Sequence, residues 1–173
     1  MFDNIRGDLI AYEGRWGAQG FWVMLVYRFG RWRYTLRPKI VRKFFSMIYR
    51  FLYKVVQVLT GIELPCEVVV GKNFVIDHFG GVIISGFARF GDNCRIRNGV
   101  VIGLRTVGKP CAPQIGSNVD VGAGAKLLGE IVIGDNVLIG ANAVVTKDVP
   151  CNSVVYGIPA VIKPRKDLPP SEL

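Results

Sequence analysis

Aliphatic or aromatic residues recur every six positions through the later part of this chain, and that period leaves few folds open. The series runs Ile84, Phe90, Ile96 and Ile102, then Ile115, Val121, Leu127, Ile133, Ile139 and Val145, most followed directly by glycine. Val70 and Ile76 begin it, and a two-residue slip precedes Ile84. Four residues after each member stands a small or apolar partner, including Ala88, Cys94, Val100, Val119, Ala125, Val137 and Ala143. An α-helix repeats every 3.6 residues and a plain strand every two, so neither gives six. A fixed hexapeptide period predicts a parallel β-helix, in which each coil buries the same positions against the coil below. The recurring glycine suits a corner where a Cβ would clash. On this pattern Cys94 is an inward-facing small residue. The one long break, Arg105 to Gln114 (RTVGKPCAPQ), predicts a loop projecting from the prism.

The first sixty residues are of another kind. They hold eleven Lys and Arg against three Asp and Glu, whereas the remainder holds eleven against ten, so nearly all of the net charge of +9 lies there. Residues 20–34 (GFWVMLVYRFGRWRY) predict an aromatic-rich helix that Pro38 terminates. From Lys39 to about Leu59 the residues Ile40, Phe44, Ile48, Phe51, Val55 and Leu59 keep helical spacing, with Gly61 as the stop. Arg42, Lys43, Arg50 and Lys54 exclude a transmembrane span, since each costs about 2.5–3.5 kcal/mol at a bilayer centre. Two readings remain for residues 20–59: a helical cap on the rest of the protein, or a helix pair held at an anionic membrane surface. No nucleic-acid-binding signature accompanies the charge. The expected organisation is a basic helical region at 1–61, a β-helix at 62–163 and a tail at 164–173.

Four cysteines, Cys66, Cys94, Cys111 and Cys151, are widely spaced without a CxxC pair, and the chain has one histidine. A zinc site is therefore not expected, and reduced cysteines in a cytoplasmic protein are. The opening residues also lack the basic-then-apolar pattern of a secretory signal. Half of the residues are hydrophobic, which excludes wholesale disorder.

Four segments in order carry a resemblance: Asp77-His78 after a strand, Gly122-Ala123-Gly124-Ala125-Lys126, Gly140-Ala141-x-x-Val144-Val145, and Asp148-Val149-Pro150. From about Gly61 to Lys163 the chain resembles the serine acetyltransferase branch of the hexapeptide-repeat acyltransferases. Its brevity resembles short forms that acetylate polysaccharides. The resemblance implies a left-handed β-helix, a homotrimer with active sites between subunits, and acetyl-CoA as co-substrate without a metal. It also implies that the projecting loop covers the active site.

The same resemblance makes His78 the catalytic base. Moving an acetyl group from a thioester to a hydroxyl requires a group that removes the hydroxyl proton, and imidazole, with an ordinary pKa near 6.5, serves near neutrality. The family's orienting carboxylate stands fifteen residues before the histidine, which here is Glu63, so Glu63 is assigned to hold the ring. The alternative for Glu63 is an ordinary exposed acid beside the helix junction. Asp77 matches an acceptor-binding acid, and is also a fitting turn former. For the coenzyme the matching positions are Gly103, Gly122, Ala123, Gly140 and Ala141, through main-chain contacts; Lys147 and Arg165 are candidates for its phosphates, and each alone reads better as a solvent-exposed cation.

The match fails in the loop. Serine acetyltransferases carry an Arg-His pair immediately before a proline, gripping the amino acid; here Cys111-Ala112-Pro113 stands in that place. Loss of those contacts, together with the shorter helical region, points to another hydroxyl. The expected activity is O-acetylation of a sugar hydroxyl on a bacterial surface polysaccharide or its precursor. The alternatives are serine O-acetylation for cysteine synthesis and, in another class, a non-catalytic β-helix scaffold. A three-histidine metal enzyme on this fold is excluded by the single histidine.

Overall fold

A computed structural model of the chain describes residues 2–106 and 111–166. Three helices come first: α1 (Phe2–Ala11), α2 (Gln19–Trp32) and α3 (Lys39–Thr60), with a 3₁₀ turn at Arg33–Thr35. The helix expected over residues 20–34 is thus α2, its last residues tightened into that turn. The α3 helix ends where Gly61 adopts φ 65° and its N–H reaches the Gln57 carbonyl at 2.8 Å. A left-handed C-cap of this kind favours glycine. Sequence periodicity gave no sign of α1, which has only a weak apolar stripe. Its anchor is polar: Asp8, 2% exposed, pairs with Arg28 on α2 at 2.8 Å and 3.0 Å.

The rest is a left-handed parallel β-helix with three faces. The first face contains β1 (Ile62–Glu63), β3 (Val82–Ile84), β6 (Val101–Gly103), β9 (Lys126–Leu128) and β12 (Val144–Val145). The second contains β4 (Arg89–Phe90), β7 (Gln114–Ile115) and β10 (Val132–Ile133), extended by bridges at Val69 and Val149. The third contains β2 (Val75–Asp77), β5 (Arg95–Arg97), β8 (Asp120–Val121), β11 (Leu138–Ile139) and β13 (Ser153–Tyr156). All these pairings are parallel, and β14 (Val161–Pro164) closes the last face as the antiparallel partner of β13. Ile83 pairs with Val101 and Lys126 with Val144, so a regular coil takes eighteen residues, three hexapeptides. The coil from Ile62 to Val82 has two more, and the coil from Val101 to Lys126 has seven more.

Every member of the six-residue series from Ile84 to Val145 is at most 5% exposed, and Ala88, Cys94, Val100, Val119, Ala125, Val137 and Ala143 are buried with them. Burying each large aliphatic contributes about 1.5–3 kcal/mol relative to exposing it. The glycines that follow stand where coils touch. A Cβ on Gly91 would lie 2.7 Å from the Ser117 nitrogen, and one on Gly122 only 2.5 Å from the Ala141 nitrogen. Cys94 is 1% exposed, as the pattern requires, and burial pushes its thiol up to about 11. The edge between the second and third faces carries a ladder of Asn73, Asn93, Asn118, Asn136 and Asn152. Each has φ between 55° and 58°, and each side-chain amide donates to the next at 2.8–3.0 Å. Asparagine tolerates that left-handed backbone better than most residues.

A β-helix leaves the backbone of its first coil unpaired, and three tyrosines from the helices cover it. The Tyr12 hydroxyl accepts from the Ile76 N–H at 2.8 Å, and the Tyr49 hydroxyl accepts from the Cys66 N–H at 3.0 Å. Tyr27 donates to the Val68 carbonyl at 2.9 Å and accepts from the Val70 N–H at 3.2 Å. Burial pushes all three phenols above their ordinary range, which keeps them neutral hydroxyls. Gly20 lets α2 approach closely, since a Cβ there would meet the Ile76 carbonyl oxygen. The helical region is therefore a cap on the open end of the prism, the first of the two readings for these residues.

Candidate active site

His78 follows β2 on the edge between the third and first faces, and the extra two residues of its coil lie there. Asp77 pairs with Arg97, and Ile83 with Val101, leaving His78-Phe79-Gly80-Gly81 where the next coil has only Asn98-Gly99. The slip in the hexapeptide count is thus a local bulge at the histidine. The bulge is pinned above and below: the Gly80 N–H donates to the Thr60 carbonyl at 2.8 Å, and the Gly99 N–H donates to the Gly80 carbonyl at 2.9 Å. His78 has φ 63°, Gly80 φ 98° and Gly81 φ 68°. A histidine in the left-handed region is uncommon and costs about 1–2 kcal/mol, which the surrounding hydrogen bonds must offset. The ring is exposed, with Phe79 exposed beside it.

The same edge continues through the positions matched to the coenzyme. The Gly124 N–H donates to the Asn98 carbonyl at 2.9 Å and the Asn142 N–H to the Ala123 carbonyl at 2.8 Å, stacking residues 122–124 and 140–142 in line with His78. At the ordinary strand spacing of about 4.8 Å, three coils separate His78 from Ala141 by roughly 14 Å. Among the described residues neither the Ala123 nor the Ala141 N–H meets an acceptor, so the edge offers two main-chain donors to a ligand. Gly103 and Lys147 lie apart from this edge. Gly103 ends β6 at the opposite border of the first face, where the projecting loop begins, and Lys147 is exposed in the turn after β12. Arg165 lies near the asparagine ladder, its N–H donating to the Asn152 carbonyl at 2.8 Å.

Glu63 lies on β1, beside Ile83 and one face away from His78. Its carboxylate accepts from Gln57 Nε2 at 3.1 Å. Among the described residues it has no hydrogen bond to His78, so the two groups share a region without being joined. Asp77 is not free either: Arg95 donates to it at 3.0 Å. On the adjoining coils Arg97 pairs with Asp120 through both guanidinium nitrogens. Asp77, Arg95, Arg97 and Asp120 thus form an alternating charge cluster on the third face beside the histidine. The side-chain hydrogen bond to Asp120 pushes the Arg97 guanidinium further up. Sequence reasoning missed the last three. The signal available was the flanking of inward Ile96 by Arg95 and Arg97, which places both outside.

In the projecting loop, Ala112 is 3% exposed and belongs to the apolar core, and Pro113 is buried beside it. The Cys111 side chain is half-buried. Residues 107–110 of the loop lie outside the described residues. At the Cys111-Ala112 position the chain therefore presents no cation and no imidazole.

Residues 112–147 match the family model described as bacterial transferase hexapeptide (six repeats). A serine acetyltransferase of Mycobacterium tuberculosis is 34% identical over 94% of this chain and 73% of its own length. One from Synechococcus elongatus is 40% identical over 81% of this chain, which spans only 55% of that relative. Among solved structures, the Neisseria gonorrhoeae serine acetyltransferase covers 99% of this chain and is matched over 69% of its own length. Its TM-score is 0.83 at 28% identity. A Brucella abortus serine acetyltransferase in complex with coenzyme A has a TM-score of 0.79 at 27% identity, covering 93% and 66% of the two chains. The chain belongs to the hexapeptide-repeat acyltransferase family, and these relatives within it are serine acetyltransferases.

The backbone at His78 yields a test separate from activity. Replacing His78 with Gly should leave unfolding free energy unchanged or slightly raised, because glycine adopts φ 63° without strain. His78→Val should lose about 1–2 kcal/mol in denaturant titration. A Gly variant destabilised as much as the Val variant would show that the imidazole holds the corner together by packing.

Proposed function

We propose that the protein is an acetyl-CoA-dependent O-acetyltransferase with His78 as general base. The observation that carries this is the alignment of His78 with Ala123 and Ala141, whose free N–H groups share its edge. Acetyl-CoA supplies the acetyl group as a thioester. The neutral imidazole takes the acceptor's hydroxyl proton as the oxygen adds to the acetyl carbon; the carbon–sulfur bond then breaks, and the imidazolium returns the proton to sulfur. Rotation of Glu63 away from Gln57 would bring a carboxylate toward the ring to fix its tautomer. Gly103 and Lys147 lie at the other border of the first face, so they serve the same ligand only if a neighbouring subunit supplies them. Exposed Phe79 and Ile83 beside the histidine are consistent with such a neighbour, and a homotrimer is the assembly this reading requires.

Serine is the acceptor best supported, because the relatives of M. tuberculosis and S. elongatus are serine acetyltransferases. This reverses the order expected from the sequence, which put a sugar hydroxyl first. One observation keeps the sugar as a second reading: Ala112 is packed into the core where the resemblance implies an imidazole for the amino acid.

His78→Ala should lower thiol release from acetyl-CoA by roughly 10²–10⁴-fold, the usual contribution of a general base, and Glu63→Gln by less. Transfer near the parent rate in the His78 variant would end this mechanism. Sedimentation equilibrium should return a mass of three chains; an active monomer would contradict the shared site. The acceptor is decided by comparing L-serine with a panel of sugars, nucleotide sugars and glycan fragments in the same assay. Saturable acetylation of serine is the expected outcome. A sugar turned over efficiently with serine inert would establish the second reading, and would leave His78 and the coenzyme edge in place.

A further inference from the structure

The helix α3 carries an apolar face that no other described residue covers. Ile40, Phe44, Met47, Phe51, Val55 and Val58 follow one another at intervals of four, three, four, four and three, which traces a single stripe along the helix. All six are exposed, Ile40 to 86%, Phe51 to 69% and Val58 to 76%. The opposite side of the helix holds it in place: Phe45 packs edge-on against Phe29 and Trp32, and buried Tyr49 reaches the first coil. The stripe therefore belongs to a folded, anchored helix and needs no ordering when it meets a surface.

Charge selects the occupant. Lys39, Lys43, Arg50 and Lys54 run along one border of the stripe, the last three each three or four residues from a stripe member, and α3 contains no Asp or Glu. No helix among the described residues is long and apolar enough to cross a membrane. A second copy of the chain packing α3 antiparallel on α3 about a two-fold axis is an isologous contact, in which the basic border meets its own copy. Lysines and arginines would then face one another with no carboxylate on the helix to compensate. An anionic surface suits both parts of the pattern at once, taking Phe44 and Phe51 into the interface and the cations to its headgroups.

We infer that α3 docks the enzyme flat on an anionic lipid bilayer, apolar stripe inward, whatever the acceptor is. This goes beyond the cap role of the helical region: the inner side of α3 caps the prism, and its outer side binds lipid.

The test is co-flotation of the full chain with vesicles of phosphatidylcholine alone and with 30% phosphatidylglycerol. The parent should float with the mixed vesicles and stay behind with the neutral ones, and should be released by raising NaCl from 0.1 M to 0.5 M. Each cation near such a surface is worth roughly fivefold in partitioning, so Lys43→Gln/Arg50→Gln/Lys54→Gln should bind about a hundredfold more weakly. Phe44→Glu/Phe51→Glu should abolish binding while thiol release with a soluble acceptor and the sedimentation mass stay at parent values. No flotation, or equal flotation with neutral and anionic vesicles, overturns the inference. So does a fall in assembly mass in the phenylalanine variant, which would assign the stripe to contact between subunits.

Discussion

The close vertical stacking of parallel coils is the constraint from which the other features follow. Strand pairing places each coil about 4.8 Å above the last, which fixes the inward positions over one another and forces apolar residues of matched size at every sixth place. It also forces glycine where a side chain would strike the next coil, as at Gly91 beneath Ser117 and Gly122 beneath Ala141. Because each coil is hydrogen-bonded only to its neighbours, the stack must be stopped at an end. The helical region does this with phenols from Tyr12, Tyr27 and Tyr49 in place of a further strand. A cap built from side chains can differ in chemistry from the prism, which is why the basic, aromatic charge pattern changes abruptly near residue 60.

That stacking also explains what was legible from sequence. The inward series and its small partners could be read directly, because a repeated environment imposes a repeated residue type. The α3 helix and its Gly61 stop were equally plain, since an amphipathic stripe and a left-handed cap are both written locally. By contrast, α1 owes its position to the Asp8–Arg28 pair, made across twenty residues of sequence and invisible to any periodicity. The same is true of Arg95 and Arg97. Their outward direction follows from Ile96 between them, but their pairing with Asp77 and Asp120 follows from coil lengths of twenty and twenty-five residues.

Departures from the eighteen-residue coil are where chemistry can enter without cost to the core. Two additional residues at His78–Gly81 push a side chain off the corner while Asp77 and Val82 keep their partners' register. Seven more make the projecting loop. A bulge inserted at a corner disturbs no inward position, so the core tolerates it; a single residue inserted within a strand would reverse every side chain after it. The histidine is consequently held by backbone hydrogen bonds to Thr60 and Gly99 and not by packing of its ring. Its imidazole stays accessible, and its left-handed φ is the strain that such a placement carries.

On the proposed reading, donor and acceptor would be recognised by different parts of this architecture, and the sequence constrains them unequally. The edge beside Ala123 and Ala141 offers main-chain donors that exist in any sequence able to stack these coils. Acceptor recognition depends on side chains in the loop and at the capped end, where the fold imposes little. Buried Ala112 shows the difference: its position is kept by packing, while its polar reach is gone. A free amino acid offers two charged groups, and discrimination in its favour needs buried partners for both. Among the described residues, the cluster of Asp77, Arg95, Arg97 and Asp120 places both signs of charge near His78, and opening the Arg95–Asp77 pair would expose one of each. Among the described residues, then, that face of the prism is where the proposed reading would find a grip on a zwitterionic acceptor, since Cys111 and Ala112 supply no cation or imidazole.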